Sequence, residues 1–446
     1  MRWVVCACML VTISAPPAES QNLTAAPARK IMDLTPHPGF FTEPSISINP
    51  RDPRQVVAAY QDNAHIAYSV DGGMHWATAS GVEPPDYRVS GDVSVVYDKH
   101  GHAILCYMAF DKLGTYNYWA HNSSRNGLFI RRSLDGGKTW EVHDTALIKH
   151  PTGSGVPWED KPYIVVDDST APYSGNLYVG WTRWTLVDSE ILFSRSRDDG
   201  RTWSEPIEIN TQRGLPRDDN GALEGFSGVV GTDSTLYVVW ADGQHVIFTC
   251  SHDGGRSFEP SREIIPTAPI MFHIQNVSRA NGFPVIAIDP STGRLYVVWS
   301  DYRNGDVDVF CSTSSDRGQT WTPAVRVNSD PVHNGGDQFF HWLAVDPSSG
   351  AANLIFYDRR RDPSNRKSTV VLARSTDGGQ HFTNYAWTDE PFDPKGVFLG
   401  DYTGIAALGG RVYGVWTEKP SSESRDTVVR VGIADFETAR RTSGRE

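Results

Sequence analysis

The sequence predicts an all-β fold, a β-propeller of seven four-stranded blades, with six blades as the alternative count. Three observations lead there. One eight-residue box, Ser-x-Asp-x-Gly-x-(Thr/Ser/His)-(Trp/Phe), occurs six times, at Ser69–Trp76, Ser133–Trp140, Ser196–Trp203, Ser251–Phe258, Ser314–Trp321 and Ser375–Phe382. Its aspartates (71, 135, 198, 253, 316 and 377) lie 64, 63, 55, 63 and 61 residues apart, and a near-fixed period marks a repeat architecture. Short apolar and aromatic runs with turn residues between them surround every box, and no helical periodicity interrupts them. The chain also has 446 residues. That exceeds the ~250–300 at which one globular core stops growing, a limit that stacked repeats avoid.

Taken in order, residues 1–20 read as a secretory signal: Arg2, an apolar run Trp3–Ala15, and the small-x-small stretch Ala18-Glu19-Ser20. Residues 21–29 form a polar linker, 30–436 the propeller, and 437–446 a polar tail. Within each unit a first strand (A) comes first: Pro44–Ile48, Val93–Tyr97, Tyr163–Val166, Phe226–Val230, Pro284–Ile288, Trp342–Val345 and Thr403–Leu408. After a turn rich in Asp, Pro and Gly, strand B is the most hydrophobic: Gln55–Tyr60, Ala103–Tyr107, Leu177–Trp181, Leu236–Trp240, Leu295–Trp299, Leu354–Tyr357 and Val412–Trp416. Strand C runs into the box, where Asp and Ser side chains bond nearby N–H groups and Gly takes positive φ. Strand D leaves from the box aromatic. The seventh unit has A, B and a C-like run, Thr427–Ile433, but no box, so Lys30–Leu34 is expected to supply its fourth strand and close the ring.

The formal charge of −12 argues against nucleic acid or an anionic membrane as partner. No stretch after the signal approaches ~20 apolar residues, so no membrane span is expected and the mature protein is placed outside the cytoplasm, secreted or periplasmic. Of five cysteines, Cys106, Cys250 and Cys311 lie beyond the signal. They read as small core residues, and no spacing matches a zinc motif.

Alternating strand direction places A starts and B ends on one face, with the boxes on the other. The first face gathers Glu43, Asp92, Glu159, Asp160, Lys161, Glu224, Asp337, His341, Asp401 and Tyr402 from A starts. From B ends it gathers Asp62, Asp111, Arg183, Trp184, Asp242, Asp301, Tyr302, Arg303, Asp358, Arg359, Arg360 and Glu418. Polar and aromatic groups converging on a concave mouth make that face the candidate site.

The boxes, with Gly400-Asp401-Tyr402-Thr403-Gly404 and Arg411–Glu418, resemble the sialidase (neuraminidase) superfamily of BNR-repeat, Asp-box propellers. The resemblance implies a glycosidase acting on acidic sugars. Tyr402 resembles the nucleophile, Glu224 its base, and Asp62 the acid. Arg303 and Arg359 resemble carboxylate-binding arginines, with Arg183, Trp184 and Tyr302 as further contacts. A neutral Tyr attacks beside a substrate carboxylate without the repulsion that an anionic nucleophile would meet, and arginine forks match that carboxylate. The chain departs from the family where Thr42-Glu43-Pro44 replaces its Arg-Ile-Pro motif, and in having seven blades rather than six. The expected partner is a carbohydrate or glycoconjugate. A non-catalytic glycan- or protein-binding propeller is the rival reading. No cofactor is required by either, although Glu43, Asp92, Asp160, Glu224 and Asp401 would suit Ca²⁺ in the channel.

Overall fold

The computed structural model describes residues 23–61, 65–79, 82, 86–111, 125–217, 221–269 and 271–437. It is a seven-bladed β-propeller with almost no helix, as the sequence predicts. Blade 1 runs Thr42–Ile48, Val56–Gln61, His65–Ser69 and Ala77–Ala79, and blade 2 Val89–Tyr97, Ala103–Phe110, Asn126–Ser133 and Thr145–His150. Blade 3 runs Trp158–Val166, Leu177–Trp184, Ser189–Ser196 and Ile207–Glu208, and blade 4 Glu224–Val230, Leu236–Ala241, His245–Ser251 and Arg262–Pro266. Blade 5 runs Val285–Asp289, Arg294–Asp301, Asp308–Ser314 and Val325–Arg326, and blade 6 Gln338–Asp346, Ala351–Asp358, Thr369–Ser375 and Thr383–Ala386. Blade 7 is Gly404–Leu408, Arg411–Glu418 and Val428–Asp435, completed by Lys30–Asp33 from the other end of the chain. That pairing runs antiparallel from Lys30↔Ile433 to Asp33↔Arg430. The described residues contain no helix long and apolar enough to cross a membrane.

The A strands touch in sequence order and blade 7 returns to blade 1, so the ring closes around a channel. Serine hydroxyls in those strands accept N–H bonds from the next blade: Ser45 from Val95 (3.1 Å), Ser94 from Ile164 (3.2 Å) and Ser227 from Ile286 (3.2 Å). The B strands are buried on both faces because each sheet packs against two others. Trp181, Trp240, Trp299 and Trp416 fill the spaces between blades near the B ends. Cys106, Cys250 and Cys311 are free and buried.

All six boxes share one hydrogen-bond pattern. The Ser hydroxyl donates to the Asp carboxylate at 2.7–2.9 Å and accepts the N–H of the fifth residue. The carboxylate also accepts the seventh residue's N–H, as from Thr139 and Thr320, both at 2.9 Å. The box tryptophans are half-buried: Trp140 and Trp203 pack on the edge of a core cluster and donate their indole N–H to Gly137 and Gly200.

Candidate functional site

At the other face most A strands carry a bulge. Register shifts lie between Thr42 and Ser45, Gly91 and Ser94, Asp160 and Tyr163, Glu224 and Ser227, and Phe339 and Trp342. Bulges re-aim side chains, here at the cost of backbone strain in residues with a Cβ. Glu43 (φ 54°), Asp92 (45°), Lys161 (47°) and Phe340 (51°) all occupy the left-handed region. The bulges face the channel, a cavity of about 350 Å³ lined by A-strand residues that include Lys161, Trp342 and Tyr402.

Of the A-start carboxyls, Glu43, Asp92, Asp160, Glu224 and Asp401 are neighbours at the mouth. Asp92 stands between Glu43 and Asp160, close enough to act on both, and Asp160 also feels the charge of Glu224. Burial, followed by the charge of Asp92, raises Glu43 and Asp160 well above the usual carboxylate range. The Trp184 indole donates to Asp160 at 3.0 Å, which orients it. Glu159, one residue earlier on the strand, bonds Trp181, Arg183 and His150 instead.

Asp401 closes the arc. Arg279 grips its carboxylate with Nε (2.7 Å) and a second nitrogen, its backbone N–H donates to Glu43 Oε1 (3.1 Å), and the Asn281 amide donates to its carbonyl (3.1 Å). Only glycine fits beside it: a Cβ on Gly400, at φ +85°, would stand 2.4 Å from Glu43 Cγ. Tyr402 follows inside the channel, its hydroxyl 3.5 Å from the Val93 carbonyl. Burial and then Glu43, Asp92, Asp401 and Asp160 push its phenol well above the ordinary tyrosine range. The Lys161 ammonium sits over the Tyr402 ring at 4.1 Å and near Trp342 and Phe283 at 5.6 and 5.7 Å. On the rim, exposed Phe40 stacks on Phe398 at 6.2 Å, and the Arg279 guanidinium lies 5.0 Å from Phe398.

The remaining sequence candidates are placed elsewhere. Arg303 forks onto buried Asp301, donates to the Pro266 carbonyl and packs over Phe310 at 4.6 Å, which ties blade 5 to blade 4. Tyr302 beside it is exposed. Arg359 is buried over Phe339, donating to Ser368 Oγ and the Asn365 carbonyl. His341 bridges Ser300 and the Phe283 carbonyl, and burial lowers it to about 4, so it is neutral. Asp62 lies outside the described residues. Sequence reasoning missed Arg279 and Asn281. Both come from a hairpin, Met271–Phe272 with Ala280–Asn281, inserted before blade 5, and only the unusual length from Phe258 to Pro284 marked it.

No family model matches this chain. A sialidase of Bacteroides fragilis is 28% identical over 217 residues, 43% of this chain and 36% of that protein, so the match spans about a third of the relative's length. This bears out the sialidase-like resemblance of the sequence. Among solved structures, an ulvan lyase bound to a GlcA(1-4)Rha3S unit has a TM-score of 0.50 at 12% identity, covering 88% of this chain and 93% of that one. A Hadza microbial sialidase has a TM-score of 0.48 at 17% identity, covering 86% and 74%. The ulvan lyase shares the fold.

Proposed function

We propose that the protein is a glycoside hydrolase that works at the channel mouth on an acidic sugar, with Tyr402 as nucleophile and Asp160 as general acid. The observation that carries this reading is the row of neighbouring carboxyls Glu43, Asp92 and Asp160 whose charges reach the Tyr402 phenol. As the Tyr402 oxygen attacks the anomeric carbon, Glu43 takes its proton while handing the one it already holds to Asp92. The glycosidic C–O bond breaks with its electron pair going to oxygen, and Asp160 gives that oxygen a proton. Asp92 passes a proton on to Asp160, so one proton enters the chain and one leaves. Water then attacks the anomeric carbon and gives a proton to Asp160 as the relay runs back toward Glu43. The Tyr402–sugar bond breaks with its electron pair going to the tyrosine oxygen, and Glu43 returns a proton to it. Lys161, over the Tyr402 ring, and Arg279, on Asp401, bring cations to the site, and the Phe40–Phe398 stack offers a sugar-ring platform.

In this assignment Glu43, not Glu224, receives the tyrosine proton. A carboxyl serves here where the family motif has arginine, and recognition of the substrate anion falls to Lys161. The test is a glycan-release panel on the purified protein with sialosides and uronides. Release of an acidic sugar that drops by about 10²–10⁴ in Asp160→Asn, with folding unchanged, is the expected result. Equal release by wild type and Tyr402→Phe overturns the nucleophile assignment. Binding without release from any glycoside overturns the enzyme reading.

A further inference from the structure

Blade 4 differs from the other blades on the box face, away from the mouth. In every blade with a box, the residue before the box Ser pairs with the residue after the box aromatic. In blade 2 these are Arg132 and Glu141, joined by the bond from Glu141 N–H to the Arg132 carbonyl (2.9 Å) and by an Arg132 Nε–Glu141 Oε2 contact (2.9 Å). Blade 4 keeps the same backbone bond, Glu259 N–H to the Cys250 carbonyl at 2.9 Å, but has Cys in place of Arg. It also carries His252 at the box's variable second position, filled elsewhere by Val70, Leu134, Arg197, Ser315 and Thr376. Ordinary hairpin pairing therefore brings a thiol, an imidazole and a carboxylate together.

Their spacing is informative. Cys250 Sγ is 3.6 Å from His252 Nε2, and that nitrogen is 3.3 Å from Glu259 Oε1. Around a tetrahedral zinc ion, bond lengths of about 2.3 Å to sulfur and about 2.0–2.1 Å to nitrogen and oxygen separate sulfur from nitrogen by about 3.5 Å and nitrogen from oxygen by about 3.3 Å. The three donor atoms all lie within 4.8 Å of one another. The imidazole is oriented from behind. Thr235 Oγ1 lies 3.2 Å from His252 Nδ1, and the Thr235 N–H is itself held by Asp233 Oδ1 (3.1 Å). With Nδ1 turned to Thr235, Nε2 is the ring nitrogen that faces Cys250 and Glu259. Such outer partners fix the tautomer of metal-bound histidines. Cys250 is buried, but the His252 and Glu259 side chains are 54% and 43% exposed, which gives an ion and a water ligand a way in.

We propose that Cys250, His252 and Glu259 form a zinc site that clips the end of strand C to the start of the D segment of blade 4. Thiolate, imidazole and carboxylate suit a borderline cation such as Zn²⁺ rather than Ca²⁺ or Mg²⁺, and a water completes the tetrahedron. Thiolate and carboxylate together neutralise the ion's charge.

The test is titration of the full-length, chelator-treated protein with zinc chloride, and separately with cobalt chloride as a spectroscopic substitute. The expected result is one ion per chain, a thiolate-to-cobalt charge-transfer band with tetrahedral d–d bands, and a rise in melting temperature with zinc. The band should vanish in Cys250→Ser and His252→Ala. Thr235→Val, which touches no metal, should weaken binding by about 10–100-fold. His245→Ala, at the other His/acid cluster of the blade (Asp242, His245, Glu263), should change nothing. If no thiolate band forms, or if binding survives His252→Ala, the proposal is wrong and the triad is a hydrogen-bonded surface cluster. Because the site lies away from the mouth, Tyr402 variants should bind zinc normally, which separates this result from the fate of the hydrolase reading.

Discussion

The two faces of the ring use the same kind of side chain in opposite ways. At the boxes, Asp316 accepts from the Thr320 hydroxyl, the Thr320 N–H and the Ser314 hydroxyl, and is held down at about 2. At the mouth, Glu43 and Asp160 lose water and face Asp92, and both are raised well above the usual range. One face spends its carboxylates as hairpin staples, each saturated with donors supplied by its own turn. The other gathers carboxyls from separate blades, Glu43 and Asp92 on backbone held in the left-handed region, where burial and mutual repulsion favour keeping protons. A fold stable through its repeats can tolerate such a mouth, and buried, mutually coupled acids are what proton-transfer chemistry requires.

The contrast breaks most sharply in activity. Asp160→Asn and Tyr402→Phe should each remove about 10²–10⁴ of turnover on an acidic glycoside while the melting temperature stays near that of the wild type. Asp198→Ala, in a box, should do the reverse. It removes an acceptor for the Thr202 N–H (2.9 Å) and hydroxyl (2.6 Å) and for the Ser196 hydroxyl (2.8 Å). A stability loss of about 1–2 kcal/mol by denaturant titration is expected, with turnover unchanged. If the box variant loses activity and the mouth variant loses stability, the division between the faces is false.

Acid should separate the faces next. Asp316 and Asp377 have folded values of about 2, below those of the unfolded chain, so the stability they contribute is present at neutral pH. It is lost as pH falls toward those values. Unfolding monitored between about pH 4 and pH 2 should therefore report the boxes, and Asp377→Asn should flatten that limb. An unchanged slope would mean that the boxes do not carry the acid response.

How much of this was legible follows the same division. A box is written in eight consecutive residues, so its turn, its period and the blade count stood in the sequence. So did the strand needed from Lys30 onward, because blade 7 was one strand short. Convergence of Glu43, Asp92, Asp160 and Asp401 followed from strand direction alone. The carboxyl chain did not, because it depends on bulges that turn Glu43 and Asp92 toward one another, and no local pattern announces them. Arg279 was hidden in an inserted hairpin outside the repeat. Arg359 and Arg303 read as ligand-binding forks in the sequence, and their contacts, one guanidinium buried over Phe339 and the other forked onto Asp301, are set by the packing of the blades. Cys250, His252 and Glu259 match no metal spacing along the chain, and it is the hairpin register that makes them neighbours.

The smallest expected effect tests the mouth on stability alone. Glu43 is raised in the folded protein by burial first, then by Asp92 and Asp401. A carboxyl whose folded value exceeds its unfolded one holds its proton more tightly when folded, so its contribution is fully present below the unfolded value and fades as pH rises through the folded value. Wild-type stability should therefore lose a component from mildly acidic to alkaline pH. Glu43→Gln keeps an oxygen for the Asp401 N–H and gains an amide donor toward Asp92, while removing the titration. The variant should be more stable than wild type at the alkaline end and less so near pH 4, while turnover collapses. The measurement is denaturant unfolding at several pH values for both proteins. Parallel pH curves would show that Glu43 carries no excess proton in the folded state and would remove one end of the proposed proton chain, leaving the boxes' acid response untouched.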